Sequence, residues 1–129
     1  YPYYFASIYG RGTALNLVVN SPTYDADNVK GVPFADVTGV HNEDEGTLTF
    51  FAVNRNGKEA LDLEIALEGF GDATIIDHQV MTHANLEAVN TAKNPDEVVP
   101  AKGNGASIKG GKLSVSLPPH SYQMIRAKL

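Results

Sequence analysis

The stretch Thr47–Gly69, TLTFFAVNRNGKEALDLEIALEG, decides the fold. In its second half Leu61, Leu63, Ile65 and Leu67 alternate with Asp62, Glu64, Ala66 and Glu68. A period of two sends one set of side chains to a core and the other to water. A helix would scatter those leucines around its circumference. The first half, Leu48 to Val53, is an almost unbroken run of apolar, β-branched and aromatic residues, as in a strand covered on both faces. Between the two, Asn54-Arg55-Asn56-Gly57 supplies an Asn-Gly pair that tolerates positive φ, so the expectation is a hairpin.

Working towards the amino terminus, Asn42-Glu43-Asp44-Glu45-Gly46 is a turn, preceded by a strand from Pro33 to about Val40. The polar run Asp25 to Gly31 reads as a loop. Leu15, Leu17 and Val19 alternate with Asn16, Val18 and Asn20 as a strand ended by Ser21-Pro22. In Tyr1 to Gly12 the spacing of four between Tyr4 and Ile8, and between Phe5 and Tyr9, predicts a short helix, although the same residues also alternate as a strand. Aromatics with a polar tip suit partly wet interfaces, so Tyr3, Tyr4, Phe5, Ile8 and Tyr9 are read as a docking face for a neighbouring domain.

Towards the carboxy terminus, Ala73 to Thr82 is a further strand, with Ile76, His78 and Val80 on one face and Ile75, Asp77 and Gln79 on the other. His83 to Gly111 is rich in Asn, Gly and Pro, without a sustained period, and reads as a packed excursion anchored at Val98 and Val99. Lys112 to Leu117 and Ser121 to Leu129 close the chain around a Pro118-Pro119 corner. The expected fold class is all-β: seven to nine strands in one antiparallel β-sandwich or jelly roll spanning residues 1–129, with a short amino-terminal helix.

Composition narrows the function. A chain of 129 residues fits one domain and buries about two-thirds of the surface of its unfolded state. It has no cysteine, which removes disulfide frameworks and zinc-thiolate sites. The net charge of −5 is dispersed and the ten basic residues form no cluster, which argues against nucleic acid as a partner. No apolar run reaches the roughly 20 residues that span a bilayer, so no membrane partner is expected. There is no initiator methionine, and the chain reads as a piece of something longer; a cytoplasmic setting is expected, with secretion left open.

Catalytic and ligand patterns are sparse. Asp36 is the best single carboxylate, but an outward position on a half-exposed strand accounts for it. His41, His78, His83 and His120 lack the i, i+2 or i, i+4 placement of metal ligands, so neither a metal nor a cofactor is assigned. Ser121, His120 and Asp36 could be written as a triad, yet Ser121 lacks a nucleophile elbow. Gly103 to Gly111 opens no helix and cradles no phosphate. No catalytic residue is assigned. The alternative to docking is carbohydrate binding, with Tyr24 and Tyr122 as stacking platforms and Asn85, Asn90 and Asn94 facing sugar hydroxyls; the asparagines serve equally well as turn caps.

A family resemblance joins these pieces. Ala6-Ser7-Ile8-Tyr9-Gly10-Arg11-Gly12, Ser21-Pro22-Thr23-Tyr24-Asp25, Val32-Pro33-Phe34, Phe51-Ala52-Val53-Asn54-Arg55, Leu86-Glu87-Ala88-Val89-Asn90-Thr91 with Asn94-Pro95, Val99-Pro100 and Leu117-Pro118-Pro119-His120-Ser121 occur in this order. Together they resemble the carboxy-terminal β-sandwich domain of α-L-arabinofuranosidases of glycoside hydrolase family 51. The resemblance implies a catalytic (β/α)₈ barrel elsewhere in the same polypeptide, carrying both catalytic glutamates. It therefore implies that Glu43, Glu59 and Glu87 are not catalytic. It also implies a structural role for this domain on the barrel, with a homo-oligomer as a further partnership.

Overall fold

The computed structural model describes residues 1–129. Helix α1 (Pro2–Tyr9) leads into β1 (Thr13–Ala14), β2 (Thr23–Ala26), β3 (Val29–Pro33), β4 (Ala35–Asn42), β5 (Thr47–Asn54), β6 (Leu61–Ala66) and β7 (Thr74–Met81). The chain continues through β8 (Ala101–Lys102), β9 (Ser107–Lys109), β10 (Lys112–Leu117) and β11 (Ser121–Lys128). Six strands form one sheet in the order β1-β4-β5-β11-β7-β8, and three form a second in the order β6-β10-β9. A separate β2-β3 pair completes an all-β antiparallel sandwich.

The alternation in Thr47–Gly69 produces the two facing layers. Leu48, Phe50 and Ala52 of β5 and Ile125 and Ala127 of β11 pack against Leu113, Val115 and Leu117 of β10. Leu61, Leu63 and Ile65 of β6 close the same core, while Asp62 and Glu64 point to water. Phe50, Leu48, Leu113, Leu117 and Ile125 are almost completely excluded from solvent, each worth about 1.5–3 kcal/mol of burial. The unbroken run Leu48–Val53 fits its central place in the sheet between β4 and β11, where Leu48, Phe50 and Ala52 face the core and Thr49 is also buried, while Phe51 and Val53 on the outer face are half-buried.

Five local expectations are corrected. Asn54-Arg55-Asn56-Gly57 does not close a hairpin, because β5 pairs with β4 and β11 whereas β6 pairs with β10 in the other sheet. The Asn54 side chain enforces that crossover: its amide reaches the carbonyls of Glu59, Leu117 and Pro118 at 3.0–3.1 Å, and its Oδ1 accepts from Asn56 N at 2.8 Å. An asparagine spent on bridging the layers cannot serve a two-residue turn. The expected strand over Leu15–Val19 reduces to Thr13–Ala14 paired with Val40 and His41; Leu15 and Leu17 still pack on the core without a ladder.

The polar run Asp25–Gly31 contains a hairpin, β2-β3, whose connection is tied by Gly31 N donating to Asp25 Oδ1 at 2.9 Å. Because Pro33 ends β3, the strand expected from Pro33 is divided, and β4 begins at Ala35. In β7 the ladder shifts opposite Arg126 and Ala127, so Ile75 and His78 share the inner face although three apart in sequence. Ile76, expected beside His78, is exposed. A bulge inverts the phase of alternation, which periodicity cannot anticipate.

Candidate functional site

The six-stranded sheet has an outer face as well as an inner one. Alternation along β11 sends Gln123, Ile125 and Ala127 inward, leaving Tyr122, Met124 and Arg126 outward. Register places Tyr122 between Val53 and Met81, and Arg126 between Thr49 and Asp77. Helix α1 covers the Arg126 end, and an open trough of about 510 Å³ lies over the Tyr122 end.

Helix α1 divides its apolar residues between two directions. Phe5 is 8% exposed, its ring 6.3 Å from that of Tyr9 and nearly parallel to it. The Tyr9 ring in turn carries the Arg126 guanidinium. Tyr3, Tyr4 and Ile8 face away, exposed by 87%, 57% and 42%. Of the five residues read as a docking face, three are free and two hold the helix to its own domain.

The trough gathers residues from five parts of the chain. Its floor is the row Val53, Tyr122 and Met81. On one side stand Arg55 and Tyr24, whose ring stacks on Phe34 at 4.7 Å. Arg55 is fixed by donating to Asp36 Oδ2 at 2.6 Å and to Pro33 O at 2.8 Å. Asp36 is thus half of a surface ion pair, as an outward carboxylate should be. The opposite wall is the segment from His83 to Ala88 with Val98.

That wall is braced by its own polar side chains. Asn85 N donates to His83 Nδ1 at 3.0 Å, and His83 Nε2 donates to Glu97 Oε1 at 3.1 Å. Asn90 exchanges two hydrogen bonds with the backbone of Val98, at 2.8 and 2.6 Å. Asn94 pairs with Glu97 through its side chain and with Thr91 through its backbone. Asn90 and Asn94 are therefore engaged as loop braces. Asn85 spends Oδ1 on the Glu87 amide and lines the trough, so Tyr24, Asn85 and Tyr122 come together there while Asn90 and Asn94 stay outside.

Two contributors were weighed in the sequence only as metal ligands or a triad member. His83 and His120 both line the trough. His120 has a φ of 47, an uncommon conformation for a residue with a side chain. The Pro118-Pro119 corner just before it was the available signal. The Tyr122 hydroxyl is buried with no hydrogen-bond partner, and burial pushes its pKa up from 10.0 to about 12. No three His, Asp or Glu side chains converge as a metal cluster, and no helix is long and apolar enough to cross a membrane.

Comparison with known proteins extends these observations. The family model described as the α-L-arabinofuranosidase C-terminal domain matches residues 1–121. An intracellular exo-α-(1→5)-L-arabinofuranosidase of Bacillus subtilis is 38% identical over 99% of this chain and 25% of its own length. The corresponding enzyme of Halalkalibacterium halodurans is 36% identical over 98% of the chain and 25% of its own length. A family 51 α-L-arabinofuranosidase from Bifidobacterium longum superposes with a TM-score of 0.89 at 26% identity, covering 98% of this chain and 25% of that one. The chain thus spans about a quarter of the relatives it matches.

Proposed function

Because the chain belongs to the α-L-arabinofuranosidase C-terminal domain family, we propose that it serves as the non-catalytic accessory domain of such an enzyme, docked on a catalytic (β/α)₈ barrel of the same polypeptide. The observation that carries this reading is the division of α1. Phe5 and Tyr9 anchor the helix to the sandwich, and Tyr3, Tyr4 and Ile8 form an unpartnered apolar face. A helix held on one side and bare on the other suits a bridge between two bodies.

The relatives are exo-α-(1→5)-L-arabinofuranosidases, and in this reading the barrel releases terminal α-L-arabinofuranosyl groups from arabinan or arabinoxylan. The relatives' names favour a cytoplasmic setting. This domain stiffens the barrel and supplies surface for homo-oligomer formation. The chemistry belongs to the barrel in this reading, and the carboxylate that stands out here, Asp36, is accounted for as half of a surface ion pair.

Light scattering of the 129-residue chain across a concentration series tests the reading. Self-association through the bare face, abolished by combined Tyr3→Ser, Tyr4→Ser and Ile8→Ser, is the expected outcome. A strict monomer at high concentration, unchanged by the substitutions, would overturn it.

A further inference from the structure

The trough over β5, β11 and β7 is not used by the docking helix. Its floor, Val53, Met81 and the Tyr122 ring, is apolar, and its walls carry polar groups. Its volume of about 510 Å³ lies within the range of small-molecule sites. Its one charged lining residue is already balanced: Arg55 is neutralised by Asp36. No uncompensated cation remains to attract phosphate or carboxylate.

Three further features distinguish the trough from a simple packing defect. Tyr24 is held in place by stacking on Phe34, so its ring is a preformed wall. The side-chain nitrogen of Asn85 remains available once Oδ1 has accepted from Glu87 N. His120 adopts its left-handed backbone conformation at the end of the trough, with its Nε2 only 2.3 Å from where a Cβ on Gly57 would lie. Strained, closely packed positions of this kind cluster at ligand sites.

An apolar floor, an aromatic wall, neutral donors and cancelled charge suit one ligand chemistry. A sugar ring offers C–H faces to the floor and aromatic wall, and hydroxyls to the Asn85 amide, the His120 imidazole and the Tyr24 phenol. We propose that the trough is a binding site for a neutral oligosaccharide. The identity of that sugar as an α-(1→5)-linked arabinofuranosyl chain rests on the reading of the preceding subsection.

The test is an NMR titration of the isotopically labelled 129-residue chain with linear arabino-oligosaccharide, xylo-oligosaccharide and oligogalacturonide. Saturable shifts are expected with arabino-oligosaccharide at Tyr24, Thr82 to Ala88 and His120 to Tyr122. Tyr24→Ala weakens binding about two- to tenfold, the effect of losing one aromatic contact. Asn85→Ala, in an exposed loop, also weakens it, with its own spectral changes confined to the loop around Glu87 whose amide it caps. Binding of the xylo- but not the arabino-oligosaccharide would uphold the sugar site and overturn the arabinofuranoside assignment. No saturable shift with either neutral sugar, equal binding of the galacturonide, or shifts centred on α1 would overturn the site.

Discussion

The Arg126 guanidinium carbon lies 4.1 Å from the centroid of the Tyr9 ring, joining the last strand of the sheet to the helix at the opposite end of the sequence. Arg126 also approaches Glu45 at 3.5 Å, and its side chain is largely withdrawn from water. Partial desolvation strengthens a cation over an aromatic face. Arg126→Ala is therefore expected to cost about 1–2 kcal/mol and to release α1. Urea unfolding measures the first effect and hydrogen exchange of the α1 amides the second. Unaltered exchange in α1 would show that the helix is held by other contacts.

Asn54 is the polar link between the two sheets, reaching Leu117 O at 3.0 Å and Pro118 O at 3.1 Å from the end of β5. Asn54→Ala leaves those carbonyls and the Asn56 amide without their partner in a buried corner. The expected loss is about 2–4 kcal/mol, read from the shift in urea midpoint.

Gly103 lies against His78, and a Cβ there would sit 2.4 Å from two atoms of the imidazole. His78 is itself fixed at 2.7 Å from Gln123, whose Nε2 donates across the sandwich to Ser116 O at 3.0 Å. Gly103→Ala is expected to displace the ring, break this inter-sheet chain and cost about 1–3 kcal/mol. Thermal unfolding and the His78 ring resonances provide the check.

Tyr122 sets an alkaline limit. Burial raises its pKa from 10.0 to about 12, so in that window the folded chain keeps a proton that the unfolded chain gives up. Its contribution is intact below pH 10.0 and is lost as pH rises towards 12. Urea midpoints measured across this range should fall, and Tyr122→Phe should remove part of the fall. At neutral pH the same substitution is expected to be nearly neutral or stabilising, because the hydroxyl has no partner.

Where a segment's neighbours are set by its own periodicity, the fold was legible. Leu61 to Leu67 and Leu48 to Val53 carried enough alternation and burial signal to place them in the sandwich, and the spacing of Tyr4, Phe5, Ile8 and Tyr9 marked α1. Long-range choices were not legible. Asn54-Gly57 has hairpin composition, but the Asn54 amide bonds to a strand end far along the chain. The bulge in β7 depends on its register with β11. In the trough, Tyr24, Asn85 and Tyr122 stood out by residue type, whereas His83 and His120 gain their places only from the loop bracing and the corner at Pro118-Pro119.

Docking of a non-catalytic domain through α1 is tested by thermal unfolding of the proposed parent arabinofuranosidase carrying Tyr3→Ser, Tyr4→Ser and Ile8→Ser together. The catalytic portion is expected to unfold at a lower temperature while turnover per folded molecule at moderate temperature is unchanged. An unfolding temperature identical to that of the unsubstituted enzyme would contradict it.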